Sequence, residues 1–445
     1  MSNTQIGRIS IALAYVAIAI LFALRTPAWE APDEPAHYNY IRQVAGGTLI
    51  PVLEAGDWDN AYLEQLKAAR FQPALLDRLA TIQYEDHQPP LYYWGGAIVY
   101  AVTNGSLTAL RLYSVLLTLG TVWLTYSIVQ FLRPDQPAVA LGAMALVAFL
   151  PQQLAMTASV NNDALMGLVA AGALFDVLRY TPPPAPSPQS REGNISPLRL
   201  GMWMGIILLT KTTIYFMGAV FLLALYLRWR RDGLPLSVLL RRVLVFALPI
   251  LLVAGLWWGR NLVVYGVPDV MGLRRHDSVV IGQLRTADLI AKEGSNYLPL
   301  ALRTTFQSFW GQFGWMAVPM DTIPSAQVPL VYPALGLLTF VCGIGLLVGR
   351  LRGLSRDALL IMGAMIALAL LVFLYYNTQF VQFQGRYLFS ALIPFAFFMA
   401  EGLDVWRRRF VRRMWLLTPF IFALLALLDV YLIWRVIPGA LMYGS

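Results

Sequence analysis

The chain has 445 residues, of which 58% are hydrophobic and 13% charged, with a formal net charge of +9. Such a composition excludes an ordinary soluble globule, and the positive balance sits almost wholly in arginines of short loops between apolar runs, which is a membrane-topology signature and not a nucleic-acid footprint. The single cysteine, Cys342, lies inside an apolar run, so a disulfide framework and a cysteine metal site are both excluded.

The first apolar segment, 9–25, has no small-residue cleavage site behind it and is expected to remain as a membrane span. Directly after it comes Ala31-Pro32-Asp33-Glu34-Pro35-Ala36-His37-Tyr38. Pro35 suits the first turn of a helix that Gly46-Gly47 stops, which places Asp33 and Glu34 at or beside an N-cap where the helix dipole favours their ionised forms. Further spans are expected near 109–131, 137–156, 163–180, 199–211, 213–228, 243–263, 327–349, 358–375, 386–403 and 415–436, each near the length that crosses ~30 Å of hydrocarbon. The chain therefore reads as an all-α polytopic membrane protein of about eleven spans, within a range of roughly ten to thirteen.

With the amino terminus in the cytoplasm, Arg133, Arg191, the Arg228/Arg230/Arg231/Arg241/Arg242 group, Arg350/Arg352/Arg356 and Arg407/Arg408/Arg409/Arg412/Arg413 all fall on the cytoplasmic side. Pro89–Val102 would invert this pattern as a span and is expected to lie along the membrane surface, where its Tyr and Trp belong. The two short spans around Lys211 could instead be one long, broken helix. Two extracytoplasmic loops, 26–108 and 264–326, are too long for connectors and are rich in acidic and aromatic residues. They suggest two modules, 1–265 and 266–445, each carrying one of the loops. The Pro/Ser-rich stretch 181–197 reads as a cytoplasmic linker, and its Asn194-Ile195-Ser196 tripeptide is disregarded for that reason. No internal repeat of the inverted-transporter kind is visible.

His37, His87 and His276 lack ligand spacing and read first as hydrogen-bonded structural residues. Asp57-Trp58-Asp59 has a metal-holding spacing but reads as a solvated loop. No phosphate-cradling glycine loop, Walker lysine, nucleophile elbow or His-Glu-x-x-His is present. What remains is a polar set that the topology gathers on one membrane face: Asp33 and Glu34, His37, Glu85, Asp86 and His87, Asn162 and Asp163, Lys211, Arg260 and Arg386. Lys211 stands out, because it interrupts an apolar stretch where an ammonium is costly unless it meets an anion or water.

Asp-Glu after the first span, Pro-Pro-Leu-Tyr-Tyr-Trp closing the first loop, Arg111-Leu112-x-Ser114, Asn161-Asn162-Asp163 and a lysine in the following hairpin resemble the GT-C membrane glycosyltransferases, which include the protein O-mannosyltransferases and lipid A aminoarabinose transferases. The chain is especially similar to a bacterial multi-pass family marked by Pro-Asp-Glu-Pro-Ala-His, and Phe309-Trp310-Gly311-x-Phe313-Gly314-Trp315 and Gln384-Gly385-Arg386-Tyr387 also resemble that family. The resemblance implies a GT-C fold in the plasma (inner) membrane and inverting transfer of a sugar from a polyprenyl-phosphate donor to a hydroxyl or amine of a glycan, lipid or protein acceptor. It further implies Asp33 as catalytic carboxylate, Glu34 as its partner, and the other residues of the set as substrate ligands, with a divalent metal left open. A transporter or flippase of lipid-linked sugars is the competing reading, although carriers keep their charges near the midplane. A subunit that kept the fold and lost catalysis is a third.

Overall fold

The computed structural model describes residues 2–181, 195–321, 329–349, 351, 353–410 and 417–443. Arg191, Arg350, Arg352, Arg412, Arg413 and most of the linker, Asn194 included, lie outside the described residues. The helices in chain order are α1 (Asn3–Arg25), α2 (Glu34–Ala45), α3 (Asn60–Ala68), α4 (Leu91–Val102), α5 (Leu107–Leu132), α6 (Pro137–Ala148), α7 (Pro151–Thr157), α8 (Asp163–Tyr180), α9 (Pro197–Leu208) and α10 (Met217–Asp232). They continue as α11 (Leu236–Tyr265), α12 (Leu273–Val279), α13 (Thr286–Glu293), α14 (Tyr297–Trp310), α15 (Val331–Gly349), α16 (Arg356–Tyr376), α17 (Leu392–Arg409), α18 (Leu417–Tyr431) and α19 (Ile437–Leu441). A two-stranded hairpin, Gln312–Phe313 with Val318–Pro319, follows α14.

Eight helices among the described residues are long and apolar enough to cross a membrane, or nine if α6 and α7 form one bent span. The 56° bend between them has a local cause, since Pro151 opens α7 and forces Leu150 into an extended conformation. Helices also occupy the two other expected crossings, but less fully. α8 carries Asp163, Asp176 and Arg179, and the 12 residues of α9 cover only ~18 Å. α4 is likewise a 12-residue apolar helix.

One hydrophobic cluster runs from Ala12 on α1 to Leu441 on α19 and holds the bundle together. Close helix approach depends on small residues, as lipid supplies no hydrophobic drive between helices. At the α15–α17 crossing a Cβ on Gly345 would meet the Gly402 carbonyl at 2.1 Å, and a Cβ on Gly402 would meet the Cys342 carbonyl at 2.0 Å. α11 packs along α9 yet leaves Leu244, Leu248, Leu251, Leu252 and Leu256 exposed, the expected surface of a helix facing lipid. Residues 26–108 fold over the bundle as α2 to α4 and a 3₁₀ segment, Pro73–Thr81, around their own cluster of Tyr62, Leu63, Leu66 and Phe71.

Candidate active site

The segment joining α1 to α2 carries Asp33, and its backbone is unusual. Trp29 and Asp33 both have positive φ, 70° and 67°, in a region that non-glycine residues occupy only when their surroundings impose it. Those surroundings are visible. Arg111 on α5 donates from Nη1 to the carbonyls of Ala23 (3.0 Å) and Thr26 (2.7 Å) and from Nη2 to that of Pro27 (3.1 Å). The same guanidinium grips Glu34, with Nε to Oε1 at 2.8 Å and Nη2 to Oε2 at 2.6 Å. Glu34 also accepts from the backbone N–H of Trp29 (3.0 Å) and of Val160 (3.1 Å), and Trp315 in the hairpin loop donates to the Trp29 carbonyl (3.0 Å).

Asp33 occupies the N-cap position of α2, as the sequence leads one to expect, although no side-chain capping bond forms and the carboxylate turns away. Its Oδ1 accepts from the Tyr84 hydroxyl at 2.9 Å and its Oδ2 from Arg386 Nη2 at 2.8 Å, with a quarter of the side chain exposed. Burial pushes the Asp33 carboxyl up, but the Arg386 charge and the bonds from Arg386 and Tyr84 outweigh it and hold the group below the usual carboxylate range. Arg386 is placed by its neighbour: a Cβ at Gly385 would meet the Thr305 carbonyl at 2.3 Å, so only glycine lets this strand of chain lie against α14. Its Nε donates to Gln384 Oε1 at 2.6 Å.

A second ion pair lies beside the first. Lys211, in the break between α9 and α10, reaches Asp163 at the start of α8 at 2.5 Å. The Tyr93 hydroxyl bridges His37 Nδ1 (2.8 Å) and Asn162 Nδ2 (3.3 Å), and burial pushes His37 down to about 3, so its ring is neutral. Glu85 faces both pairs with a buried Oε2 that has no hydrogen-bond partner. Burial and the Asp33 charge push its carboxyl up to about 7.

The remaining sequence candidates have other partners. Asp86 accepts from Gln43 at 2.6 Å and is pushed by burial to about 8. Arg260 clamps the first loop, donating to the carbonyls of Ile50 (3.1 Å) and Pro51 (2.6 Å) and to Asn261 (3.0 Å). His87 Nδ1 donates to the Tyr84 carbonyl (3.1 Å), and the ring packs on His276, ring centroids 4.6 Å apart, a pairing hidden by their distance in sequence. Among the described residues no group of three or more His, Cys, Asp and Glu is arranged to hold a metal ion, and Asp33 and Asp163 are each occupied by a cation. The residues present do not fit a divalent ion. In the Asp57-Trp58-Asp59 tripeptide, Asp59 caps α3 and pairs with Arg78 while Asp57 closes its own turn on Glu54.

The sequence assigns no role to Tyr84, Tyr93 or Glu30. Glu30 is buried with neither oxygen hydrogen-bonded, 3.8 Å from Arg70, beside a cavity of about 20 Å³ also lined by Gln152 and Gln312. Burial pushes it up to about 7 against the pull of Arg70. A raised carboxyl binds its proton more tightly in the folded state, so its stabilisation is present below the unfolded value near 4.5 and is lost as pH rises through about 7. Glu30→Gln should therefore melt a few degrees higher than wild type at pH 8 and at nearly the same temperature at pH 5, where Glu30 is already neutral. Equal loss of stability at both pH values would show that the carboxylate is needed in its charged form.

The family described as dolichyl-phosphate-mannose-protein mannosyltransferase matches residues 87–258. The fold is similar to that of ArnT from Cupriavidus metallidurans bound to undecaprenyl phosphate, with a TM-score of 0.53, 15% identity, and 95% of this chain and 64% of that chain covered. It is similar also to the apo state of that protein (TM-score 0.50, 17% identity, 90% and 60% covered). The Archaeoglobus fulgidus oligosaccharyltransferase tethered with an acceptor peptide gives a TM-score of 0.52 at 12% identity, with 98% and 55% covered. No curated protein sequence matches the chain. The chain spans less than two thirds of the length of each of these solved proteins, and at such identities the likeness is one of fold.

Proposed function

We propose that this chain, a member of the GT-C superfamily by its fold, is an inverting glycosyltransferase that moves a sugar from a polyprenyl-phosphate donor to an acceptor hydroxyl or amine. The observation that carries this reading is the convergence of two carboxylate–cation pairs, Asp33 with Arg386 and Asp163 with Lys211, from four distant parts of the chain. As the acceptor oxygen or nitrogen bonds to the anomeric carbon, Asp33 takes its proton, and the bond from that carbon to the phosphate oxygen breaks with its electron pair leaving on the polyprenyl phosphate. Arg386 and Lys211 stabilise the charge that develops on the phosphate. The similarity to a protein solved with undecaprenyl phosphate supports a lipid-linked donor.

Glu34 has every acceptor direction filled and serves to position the Asp33 segment, not to carry protons. Glu85 orients substrate and tunes Asp33 through like-charge coupling. His37, Asn162 and Tyr93 wall the site, and Asp86, His87 and Arg260 hold the first loop over it. In this reading residues 1–265 supply the base and 266–445 supply Arg386. The protein spans the inner membrane with its amino terminus in the cytoplasm and the loops 26–108 and 264–326 outside. A reporter fused after residue 60 or 300 that reads cytoplasmic would overturn that orientation.

Lys211→Met tests the donor assignment, because it keeps length and apolarity and removes only the charge. Weaker binding of polyprenyl-phosphate sugar and ~10-fold or more slower transfer are expected, as a buried cation acts on a phosphate far more strongly than one in water. Arg435→Met, at the π-turn beyond α18, should have little effect. Unchanged affinity and transfer in Lys211→Met would remove this residue from the site. Movement of lipid across the bilayer with no sugar transfer would favour a flippase.

A further inference from the structure

Both cations of the site are occupied by carboxylates, and the two pairs are not equivalent. Lys211 is a point charge with a single short contact to Asp163. Arg386 is a fork whose three nitrogens meet three different acceptors: Nε faces Gln384 Oε1 at 2.6 Å, Nη2 faces Asp33 Oδ2 at 2.8 Å, and Nη1 faces the thioether of Met156 at 3.5 Å. A thioether is a weak acceptor, so Nη1 is a buried, nearly unspent donor beside the carboxylate proposed as the base. Phosphate oxygens are the preferred partners of such a fork, and a carboxylate locked to an arginine is a poor base.

We propose that Arg386 is shared between Asp33 and the donor phosphate, so that seating of the phosphate draws the guanidinium away and releases Asp33 to accept the acceptor's proton. This rests on the lipid-phosphate reading above and adds an order to it: donor first, then deprotonation of the acceptor. Gln384 is the pivot, because its bond to Nε holds one corner of the guanidinium while the two Nη groups exchange partners. Once Arg386 turns, Asp33 keeps the Tyr84 hydroxyl on Oδ1, which fixes the direction of the freed Oδ2. Asp33 is faced by Arg386 from the segment before α17, Tyr84 and Glu85 from the first loop, His37 from α2, Tyr376 from α16 and Tyr387 beside Arg386, with Asp163 and Lys211 beyond them. Of these, Arg386 is the cation in contact with Asp33, and it holds that carboxyl below its usual range against burial. Its withdrawal, with Glu85 close by, leaves Asp33 more basic.

The test uses the full chain in lipid nanodiscs with undecaprenyl phosphate as probe. The Asp33 carboxylate is followed by infrared titration of protein labelled with ¹³C at the aspartate carboxyl, its band being the one lost in Asp33→Asn. In wild type the lipid should move the Asp33 titration upward by about one pH unit or more, a tenfold or greater gain in proton affinity. In Arg386→Gln the titration should already lie higher without lipid and move much less when lipid is added. Arg386→Lys keeps a charge but lacks the fork, so it should bind the lipid with a smaller shift than wild type, and it serves if the glutamine variant folds poorly. Lipid that binds without moving the wild-type titration overturns the proposal. So does an equal shift in wild type and Arg386→Gln, because the phosphate would then act through space and not by taking the arginine. Failure of undecaprenyl phosphate to bind wild type at all would overturn the lipid-phosphate reading itself, and the proposal with it.

Discussion

Asp33→Asn is expected to cut sugar transfer by ~100-fold or more, the usual scale for loss of a general base, while the protein still folds. The amide keeps an oxygen that can accept from Tyr84 or Arg386, so the segment from Ala23 to Asp33 loses one ionic contact but none of the bonds that Arg111 and Trp315 make to its backbone. Arg386 does not become an isolated buried charge, because the Asp163 carboxylate is near enough to act on it. Asp57→Asn is the control. Asp57 closes a turn on the Glu54 N–H and touches neither ion pair, so its loss should leave transfer within about twofold. Initial rates with extracted lipid-linked sugars, set beside the melting temperature of each variant, separate chemistry from folding. Full activity in Asp33→Asn would end its assignment as base.

Arg111→Met is expected to cost about 3–5 kcal/mol, the range for removing one partner of a buried pair and leaving the other charged and unpaired. Glu34 is fully buried and everything around it donates, two guanidinium nitrogens and two backbone N–H groups. Among the described residues, Arg111 is the cation paired with it. The variant also frees the carbonyls of Ala23, Thr26 and Pro27, so the positive φ at Trp29 and Asp33 loses its enforcement and activity should fall with stability. Glu34→Gln should be milder, because one of its side-chain atoms still accepts, although its amide now points donors at donors. The double variant Arg111→Met with Glu34→Leu should regain much of the stability, as an apolar pair pays no desolvation cost, but not the activity, which depends on the pinned segment. Thermal melts of wild type, Arg111→Met, Glu34→Leu and the double variant in one detergent give the cycle. A wild-type melting temperature for Arg111→Met alone would show that the pair is not what holds the segment.

Asp33 and Glu34 are adjacent and chemically alike, and in sequence they invite one shared role. The structure gives them different partners. The start of α2 falls between them, and with Asp33 at a φ of 67° its carboxylate faces Tyr84 and Arg386, while Glu34, the first helical residue, turns inward to Arg111. Lys211 was legible for a different reason. An ammonium within an apolar stretch violates the composition around it, so it demanded a partner before any partner was known, and Asp163 was already in the same candidate set. Arg260 was not separable from Arg386 in that way. Both are arginines near span ends, and only the packing shows one clamping the carbonyls of Ile50 and Pro51 and the other against Asp33.

The sequence by itself determined the membrane class, where nearly every membrane-crossing helix lies and which short segments are dense in chemistry, but not the helices α12 to α14 within the loop 264–326. These follow from composition and local pattern: apolar runs must enter lipid as helices whatever lies beside them, and prolines, glycines and caps act within a turn or two. Tertiary structure alone decided which carboxylate meets which cation. Arg386 reaches Asp33 across 353 residues, Arg111 reaches Glu34 across 77 and Lys211 reaches Asp163 across 48. Those meetings depend on how the helices pack, through contacts such as Gly345 on Gly402 and Gly385 on α14, where a missing side chain rather than a present one sets the distance between backbones. Local residue patterns do not encode that geometry, because the energy of an ion pair depends on separation and burial, and both exist only once the helices have come together.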